Sequence, residues 1–109
     1  CSGEINRAPR LYYHGDTEDL NSVMQWVGQR SVYTRAALVG ISMGGSINLK
    51  YAGVHTTPNW LKRVVAISTP CDLAAAASAM DRFWNKVIFK KRFLEALEQK
   101  LRKKNEQYP

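Results

Sequence analysis

The segment AALVGISMGGS, residues 36–46, gives the strongest indication of the fold of this chain. It begins with an apolar run, residues 36–41, in which polar residues do not alternate with apolar ones. Such a run is typical of a strand buried on both faces of a parallel sheet. Residues 46–52 have the composition of a helix that ends at Gly53. We therefore predict a strand that leads almost directly into a helix, with Ser42 at the turn.

The turn matches the pattern G-x-S-x-G, with Gly40 and Gly44 on either side of Ser42. A strand that enters a helix within a few residues places its central residue in strained backbone geometry, which costs about 1–3 kcal/mol. We expect the positions two before and two after the serine to come close together, so that only glycine fits there. Ser42 is then a candidate nucleophile, and the backbone N–H of Met43 a candidate oxyanion donor.

Two other interpretations of this pattern are a structural serine in a glycine-rich turn and a phosphate-binding loop. Glycines at a helix N-terminus do bind anions. However, no Gly-Lys-Ser/Thr sequence follows, which argues against a Walker-type loop. At this composition chance supplies the G-x-S-x-G pattern about 0.03 times per chain, before its context is considered. The nucleophile interpretation is therefore favoured.

The elements around the turn alternate between helix and strand. Apolar residues at helical spacing predict an amphipathic helix from about residue 17 to 29, which Asp16 or Thr17 can cap. The residues of its apolar stripe are Leu20, Val23, Met24 and Val27. Residues 63–67 form a second candidate for a buried strand. The order helix–strand–helix–strand indicates an α/β fold with helices on both faces of a parallel sheet.

The character of the sequence changes after Pro70. Asp72 is suited to cap an alanine-rich helix over residues 73–80. A long amphipathic segment from about residue 82 to 104 follows, and its apolar stripe comprises Phe83, Val87, Leu94, Leu97 and Leu101.

The same segment carries most of the net charge of +7, which arises from 16 Lys and Arg against 9 Asp and Glu. A basic amphipathic helix of this kind can dock on an anionic surface such as a membrane or a nucleic acid. This yields an alternative function, a non-catalytic module that binds such a surface. A solvated lysine face is the simpler explanation. Aromatic residues at base-stacking positions are missing, so we expect no nucleic-acid partner.

Cysteine positions and hydropathy limit the kinds of site and the cellular environment that we expect. Cys1 and Cys71 lie far apart without metal-ligand spacing, so we expect free thiols, a cytoplasmic protein, and neither a metal nor a cofactor. No apolar run approaches the roughly 18–20 residues that span a bilayer.

Several blocks together resemble one branch of the α/β-hydrolase superfamily. This branch comprises predicted bacterial hydrolases related to fungal medium-chain acyl-ester synthase/esterases and to mammalian membrane-associated lipid hydrolases. The resemblance covers about residues 1–73 and rests on CSGE (1–4), RLYYHGDTEDL (10–20), Trp26, GISMGGS (40–46), LKY (49–51) and STPCDL (68–73). It implies a Ser-His-Asp serine esterase, or carboxylesterase, for small or medium acyl chains. Ser42 would be its nucleophile, and the Met43 N–H would be one oxyanion donor.

The resemblance also implies a division of the chain. Residues 1–72 would belong to the α/β-hydrolase core with its nucleophile elbow, and residues 73–109 to a helical cap over the site. The expected substrate is a small-molecule acyl ester or a lipid, and peripheral membrane contact is a further expectation. Two parallel strands leave unpaired edges, so we expect the rest of a longer chain, or a second copy, to complete the sheet.

The catalytic partners of Ser42 are not evident in this chain. In this fold the order is serine, then acid, then histidine. We interpret His55 as a surface-turn histidine, His14 as a structural hydrogen bonder, and Asp72 as a helix cap more readily than the acid. The catalytic base, the acid and the second oxyanion donor are expected outside these 109 residues, which alone would be nearly inactive.

Overall fold

The computed structural model describes residues 5–30, 32–80 and 91–108. Along the chain the elements are α1 (Glu18–Gln29), β1 (Ala36–Ile41), α2 (Met43–Val54), β2 (Leu61–Ile67), α3 (Leu73–Met80) and α4 (Lys91–Gln107). The predicted order of elements is confirmed as far as residue 80. The long amphipathic segment is helical from Lys91 onward, whereas Phe83 and Val87 of its predicted stripe lie outside the described residues.

The two strands form a parallel sheet in which Leu38 pairs with Val64 and Gly40 with Ala66. A parallel pair requires a crossover connection. Here α2 is that connection, and it packs on both strands. The predicted α/β class, a partial arrangement of parallel strands with flanking helices, is thereby confirmed.

The predicted burial of both sheet faces is wrong for the described residues. Gly40 and its neighbours on one face are covered by α2. On the other face Val39 is 62% exposed and Ile41 66% exposed, and their partners Val65 and Ile67 are exposed as well. The apolar run is suited to two covering layers, whereas within the unit Tyr12–Cys71 α2 covers one face and α1 packs against α2.

Residues Tyr12–Cys71 form one compact unit with its own small core. Tyr51 is 1% exposed and Met24 5% exposed, and Asn48 is buried with them. The Trp60 indole lies against Gly28 of α1, with Nε1 3.4 Å from the position a β-carbon would take there. The predicted apolar stripe of α1 is only partly buried, since Met24 is buried but Val23 is 55% exposed.

The described residues of Cys1–Leu11 and Asp72–Pro109 form the second unit. This unit contains a buried cation, Lys104, which is 8% exposed. The ammonium donates to the carbonyl oxygen of Asn6 at 2.5 Å and to that of Ala8, and the Tyr108 hydroxyl donates to the Arg7 carbonyl. Backbone carbonyls thus satisfy a charge whose burial would otherwise be unfavourable. Within residues 5–30, 32–80 and 91–108, no helix combines the length and apolar content needed to cross a bilayer.

Candidate active site at the turn between strand and helix

Ser42 occupies the turn between the last residue of β1 and the first residue of α2. Its backbone has φ 54° and ψ −121°, outside both the strand and the right-handed helical region. Its N–H donates to the carbonyl of Ile67 at 2.9 Å, and its own carbonyl accepts the N–H groups of Gly45 at 3.0 Å and Ser46 at 3.3 Å. The residue is therefore held by the neighbouring strand on one side and by the helix on the other.

This conformation is strained, because a positive φ brings the β-carbon of a non-glycine residue close to its own backbone. The strain costs about 1–3 kcal/mol and persists only where surrounding contacts fix it. At Ser42 those contacts are the last ladder bond of the sheet and the first-turn bonds of α2. The side chain is exposed rather than packed, so its hydroxyl is accessible at the positive end of the helix dipole.

The backbone N–H of Met43 lies at the first position of α2. N–H groups in the first turn of a helix have no acceptor within that helix. Among the described residues no other acceptor bonds to this N–H. A free N–H beside an exposed hydroxyl is the arrangement that stabilises a negative oxygen forming next to that hydroxyl.

Gly40 is required by the close approach of α2. A β-carbon added there would overlap the carbonyl oxygen of Gly44 and lie 2.6 Å from Nδ2 of Asn48. Backbone cannot yield as a flexible side chain can, so any larger residue at position 40 would displace the helix. The expected need for glycine at this position is thereby explained.

The structure differs from expectation at Gly44. A β-carbon added at Gly44 would meet nothing within 4 Å. The second sterically required glycine is instead Gly45, whose added β-carbon would overlap Oγ1 of Thr69 and lie 3.2 Å from the Gly40 carbonyl oxygen. The local pattern could not reveal this, because Thr69 follows β2 and reaches α2 only through the pairing of the two strands.

The family of the chain follows from this turn together with a sequence comparison. The family model described as alpha/beta hydrolase fold matches residues 3–102. The chain belongs to the α/β-hydrolase fold family. It is also similar to a protein of Escherichia coli (strain K12) named "Putative esterase YheT", with 28% identity over 109 residues. The match covers 100% of this chain and 32% of that protein, so the chain spans about a third of the length of this curated relative. No solved structure gives a significant match.

The two histidines of this α/β-hydrolase chain both lie away from the turn in sequence. His55 ends α2, where its N–H donates to the Tyr51 carbonyl at 3.0 Å. Its ring stacks on Tyr51 at 5.0 Å between centroids, and Nε2 lies 2.9 Å from Oγ1 of Thr17. His55 is therefore a half-buried structural histidine and not simply a surface one. Hydrogen bonding by the His14 side chain stays a prediction.

Two residues of this α/β-hydrolase expected to cap helices behave differently. Asp72 caps α3 as predicted, since its Oδ1 accepts the N–H of Ala75 at 2.9 Å. Thr17 lies at the N-cap of α1 but makes no side-chain capping bond. Its hydroxyl bonds instead to His55, because folding brings that ring within reach.

No group of three His, Cys, Asp or Glu side chains suited to a metal ion occurs among the described residues. Cys71 is an exposed free thiol. Of the titratable groups in the unit that holds Ser42, the Tyr51 phenol is perturbed, because burial raises its pKa above the ordinary value of 10.0. Tyr51 stabilises the α2 side of the fold and lies at the opposite end of α2 from Ser42.

Proposed function

We propose that this protein is a serine hydrolase that cleaves carboxylic esters through an acyl-enzyme on Ser42. The observation that carries the proposal is the backbone of Ser42, which has a positive φ and presents an exposed side chain at the N-terminus of α2. Membership of the α/β-hydrolase fold family supports a hydrolase, and the name of the Escherichia coli relative supports an esterase.

The proposed reaction has two steps. In the first, Oγ of Ser42 forms a bond to the ester carbonyl carbon, the hydroxyl proton passes to a general base, and the carbonyl oxygen becomes an oxyanion beside the Met43 N–H. The carbon–oxygen bond to the alcohol then breaks, and the base returns the proton to the leaving alcohol. In the second step, water attacks the acyl-enzyme by the same route and releases the carboxylic acid and Ser42.

The proposed mechanism needs a general base for Ser42. Within the described ranges no side chain makes a hydrogen bond to Oγ of Ser42. An unassisted serine hydroxyl is a weak nucleophile. We therefore propose that the histidine, the acid and a second oxyanion donor lie outside this chain, and that the 109-residue chain alone is nearly inactive.

The proposed substrates are esters of small or medium acyl chains, or lipids, in the cytoplasm. Under this proposal α3 and α4 belong to a cap over the acyl chain. Exposed leucines on α4 at positions 94, 97 and 101 are suitable for an apolar ligand or a covering element.

The proposal is tested on the full-length protein with a fluorophosphonate probe, which reacts with activated serine hydroxyls. We expect labelling of the wild type, with the adduct mapped to Ser42 by peptide mass spectrometry. Ser42→Ala should abolish both labelling and hydrolysis of p-nitrophenyl esters. Ser46→Ala, four residues further on, is the matched control and should remain labelled. A folded wild type that resists the probe, or an adduct on another serine, would overturn the proposal.

A second candidate function is docking on an anionic membrane through α4. Leu94 and Leu101 are 48% exposed and Leu97 is 39% exposed, so the stripe lies open in the described residues. Lys103 belongs to the same helix and is exposed, whereas the Lys104 ammonium is bound to backbone carbonyls and is not available. Apolar residues beside cations favour a lipid surface over a nucleic acid.

Flotation of the full-length protein with vesicles tests this second candidate. We expect binding to phosphatidylserine-containing vesicles at low salt, a loss of binding as salt rises, and weak binding to pure phosphatidylcholine. Leu97→Asp should prevent binding, whereas Ser22→Asp on the exposed part of α1 should leave it unchanged. If no binding occurs at low salt, membrane docking by α4 is excluded.

A further inference from the structure

The adjacent ends of the two strands bend in the same unusual way. Ile41 and Ile67 are the last paired residues of β1 and β2. The residue after each is a serine with positive φ, 54° at Ser42 and 50° at Ser68. Because the Ser42 N–H donates to the Ile67 carbonyl, the two bends are joined by the last hydrogen bond of the sheet.

The bend at Ser68 is followed by Thr69, which contacts the first turn of α2. The Thr69 side chain occupies the space that a β-carbon at Gly45 would need. Gly45 is also the residue whose N–H donates to the Ser42 carbonyl at 3.0 Å. A side chain that follows β2 therefore packs directly on the residue that holds the backbone of Ser42.

The hydroxyl of Thr69 does not stabilise the fold by hydrogen bonding. Oγ1 is buried and has no hydrogen-bond partner among the described residues. An unpaired buried hydroxyl costs about 1–3 kcal/mol. The favourable contribution of Thr69 must then come from its β-branched shape, which fills the gap beside Gly45.

We infer that Thr69 is a positioning residue for Ser42: its side chain, seated against Gly45, sets the distance between the end of β2 and the first turn of α2. This inference rests on the proposed function of Ser42. A shift of the first turn would move the Met43 N–H and the Ser42 hydroxyl together. Displacement of reacting groups by about 1 Å can lower a rate about a hundredfold.

Three variants of the full-length protein separate shape from hydrogen bonding. Thr69→Val keeps the branched shape and removes the unpaired buried hydroxyl, so we expect kcat within about threefold of wild type and no loss of thermal stability. Thr69→Ala leaves a gap beside Gly45, and we expect kcat to fall about tenfold while KM stays within about twofold. Thr56→Ala, an exposed threonine in the loop after α2, is the control and should change neither value.

A size exchange tests the contact itself. Gly45→Ala should overlap Thr69 and lower kcat about a hundredfold. In the double variant Gly45→Ala/Thr69→Ala the overlapping Oγ1 is gone, and two neighbours remain near the new β-carbon: the β-carbon of residue 69 at 3.1 Å and the Gly40 carbonyl oxygen at 3.2 Å. We expect kcat of the double variant to be at least about tenfold higher than that of Gly45→Ala, a coupling typical of residues in contact.

The outcomes distinguish the two proposals. If the wild type is not labelled by the fluorophosphonate at Ser42, the proposed function fails. If the wild type is labelled but Thr69→Ala reacts and turns over as fast as Thr69→Val, only the positioning role is overturned. A double variant that recovers nothing relative to Gly45→Ala overturns it as well. Should Gly45→Ala not fold, the comparison of Thr69→Ala with Thr69→Val decides, since a purely structural role would lower the melting temperature and leave kcat unchanged.

Discussion

The hydroxyl of Thr17 lies 2.9 Å from Nε2 of His55 and joins the start of α1 to the end of α2. The two residues are far apart in sequence, and both are at least half-buried. His55 also stacks on Tyr51, the most buried large side chain of the described residues. This bond therefore fixes the packing of α1 on α2, the helix that begins at Met43 directly after Ser42.

Loss of the bond between Thr17 and His55 should destabilise the unit without changing the site chemistry. We expect Thr17→Val to lower the free energy of unfolding by about 1 kcal/mol, the net value of one hydrogen bond, and more if the ring nitrogen is left unsatisfied. His55→Ala should cost more, because it also removes the stacking on Tyr51. Urea unfolding measures both values. Thr56→Val, at an exposed threonine, is the control, and an equal effect there would contradict this role.

Substitutions at the two glycines of the G-x-S-x-G pattern should have opposite effects. Gly40→Ala forces overlap with the Gly44 backbone, and overpacking of this kind costs about 1–3 kcal/mol or more. Gly44→Ala points into open space within a helix and should stabilise the protein by up to about 1 kcal/mol. Thermal unfolding of the two variants checks this. A Gly44→Ala protein as unstable as Gly40→Ala would show that the helix approaches the strand differently.

The positive φ of Ser42 predicts a conflict between stability and activity. Ser42→Gly removes the steric strain and should raise the free energy of unfolding by about 1 kcal/mol relative to Ser42→Ala, which keeps the strain. Both variants should lose reaction with the fluorophosphonate. Chemical unfolding of the pair measures the difference. If the glycine variant were less stable than the alanine variant, Ser42 would not be strained in the folded protein.

The burial of Tyr51 predicts how stability depends on pH at alkaline values. Burial raises the pKa of its phenol in the folded state, so the neutral form is favoured there. The unfolded chain loses this proton near the ordinary value of 10.0, whereas the folded chain still holds it. The contribution of the neutral Tyr51 phenol to stability is therefore fully present below pH 10, and it is lost as the pH rises from there through the folded-state pKa.

Tyr51→Phe isolates this effect. Wild type and variant are unfolded in urea at pH 8 and at about pH 11, and the difference in their free energies of unfolding is compared. We expect the free energy of unfolding of the variant to rise relative to that of the wild type at the higher pH. The matched control is Tyr33→Phe, at a tyrosine that is 59% exposed, and it should show no such gain. A difference independent of pH would contradict the burial of the phenol as the cause.

Much of the local structure was predictable, because it depends on neighbours in sequence. Glycine spacing predicts the turn at Ser42, the apolar run predicts β1, and the position of Asp72 predicts the cap of α3, as the structure shows. The cap of α1 was less predictable. Thr17 has the right chemistry for a capping bond, but its hydroxyl bonds to a ring supplied by the end of α2. Capping preference depends on neighbours in sequence, so it could not reveal a hydrogen-bond partner that folding brings within 2.9 Å of the hydroxyl.

The class of the fold and the candidate nucleophile can be predicted from the order of residues, since both follow from periodicity and from the steric demands of a short strand-to-helix turn. The residues that lie against each glycine, and hence which glycines are indispensable, become known once the segments have packed. Gly45 is required because Thr69 packs on it, and that contact exists only after β2 pairs with β1 in its observed register. Contacts of this kind depend on distances between segments, and a linear pattern of residue types does not contain those distances.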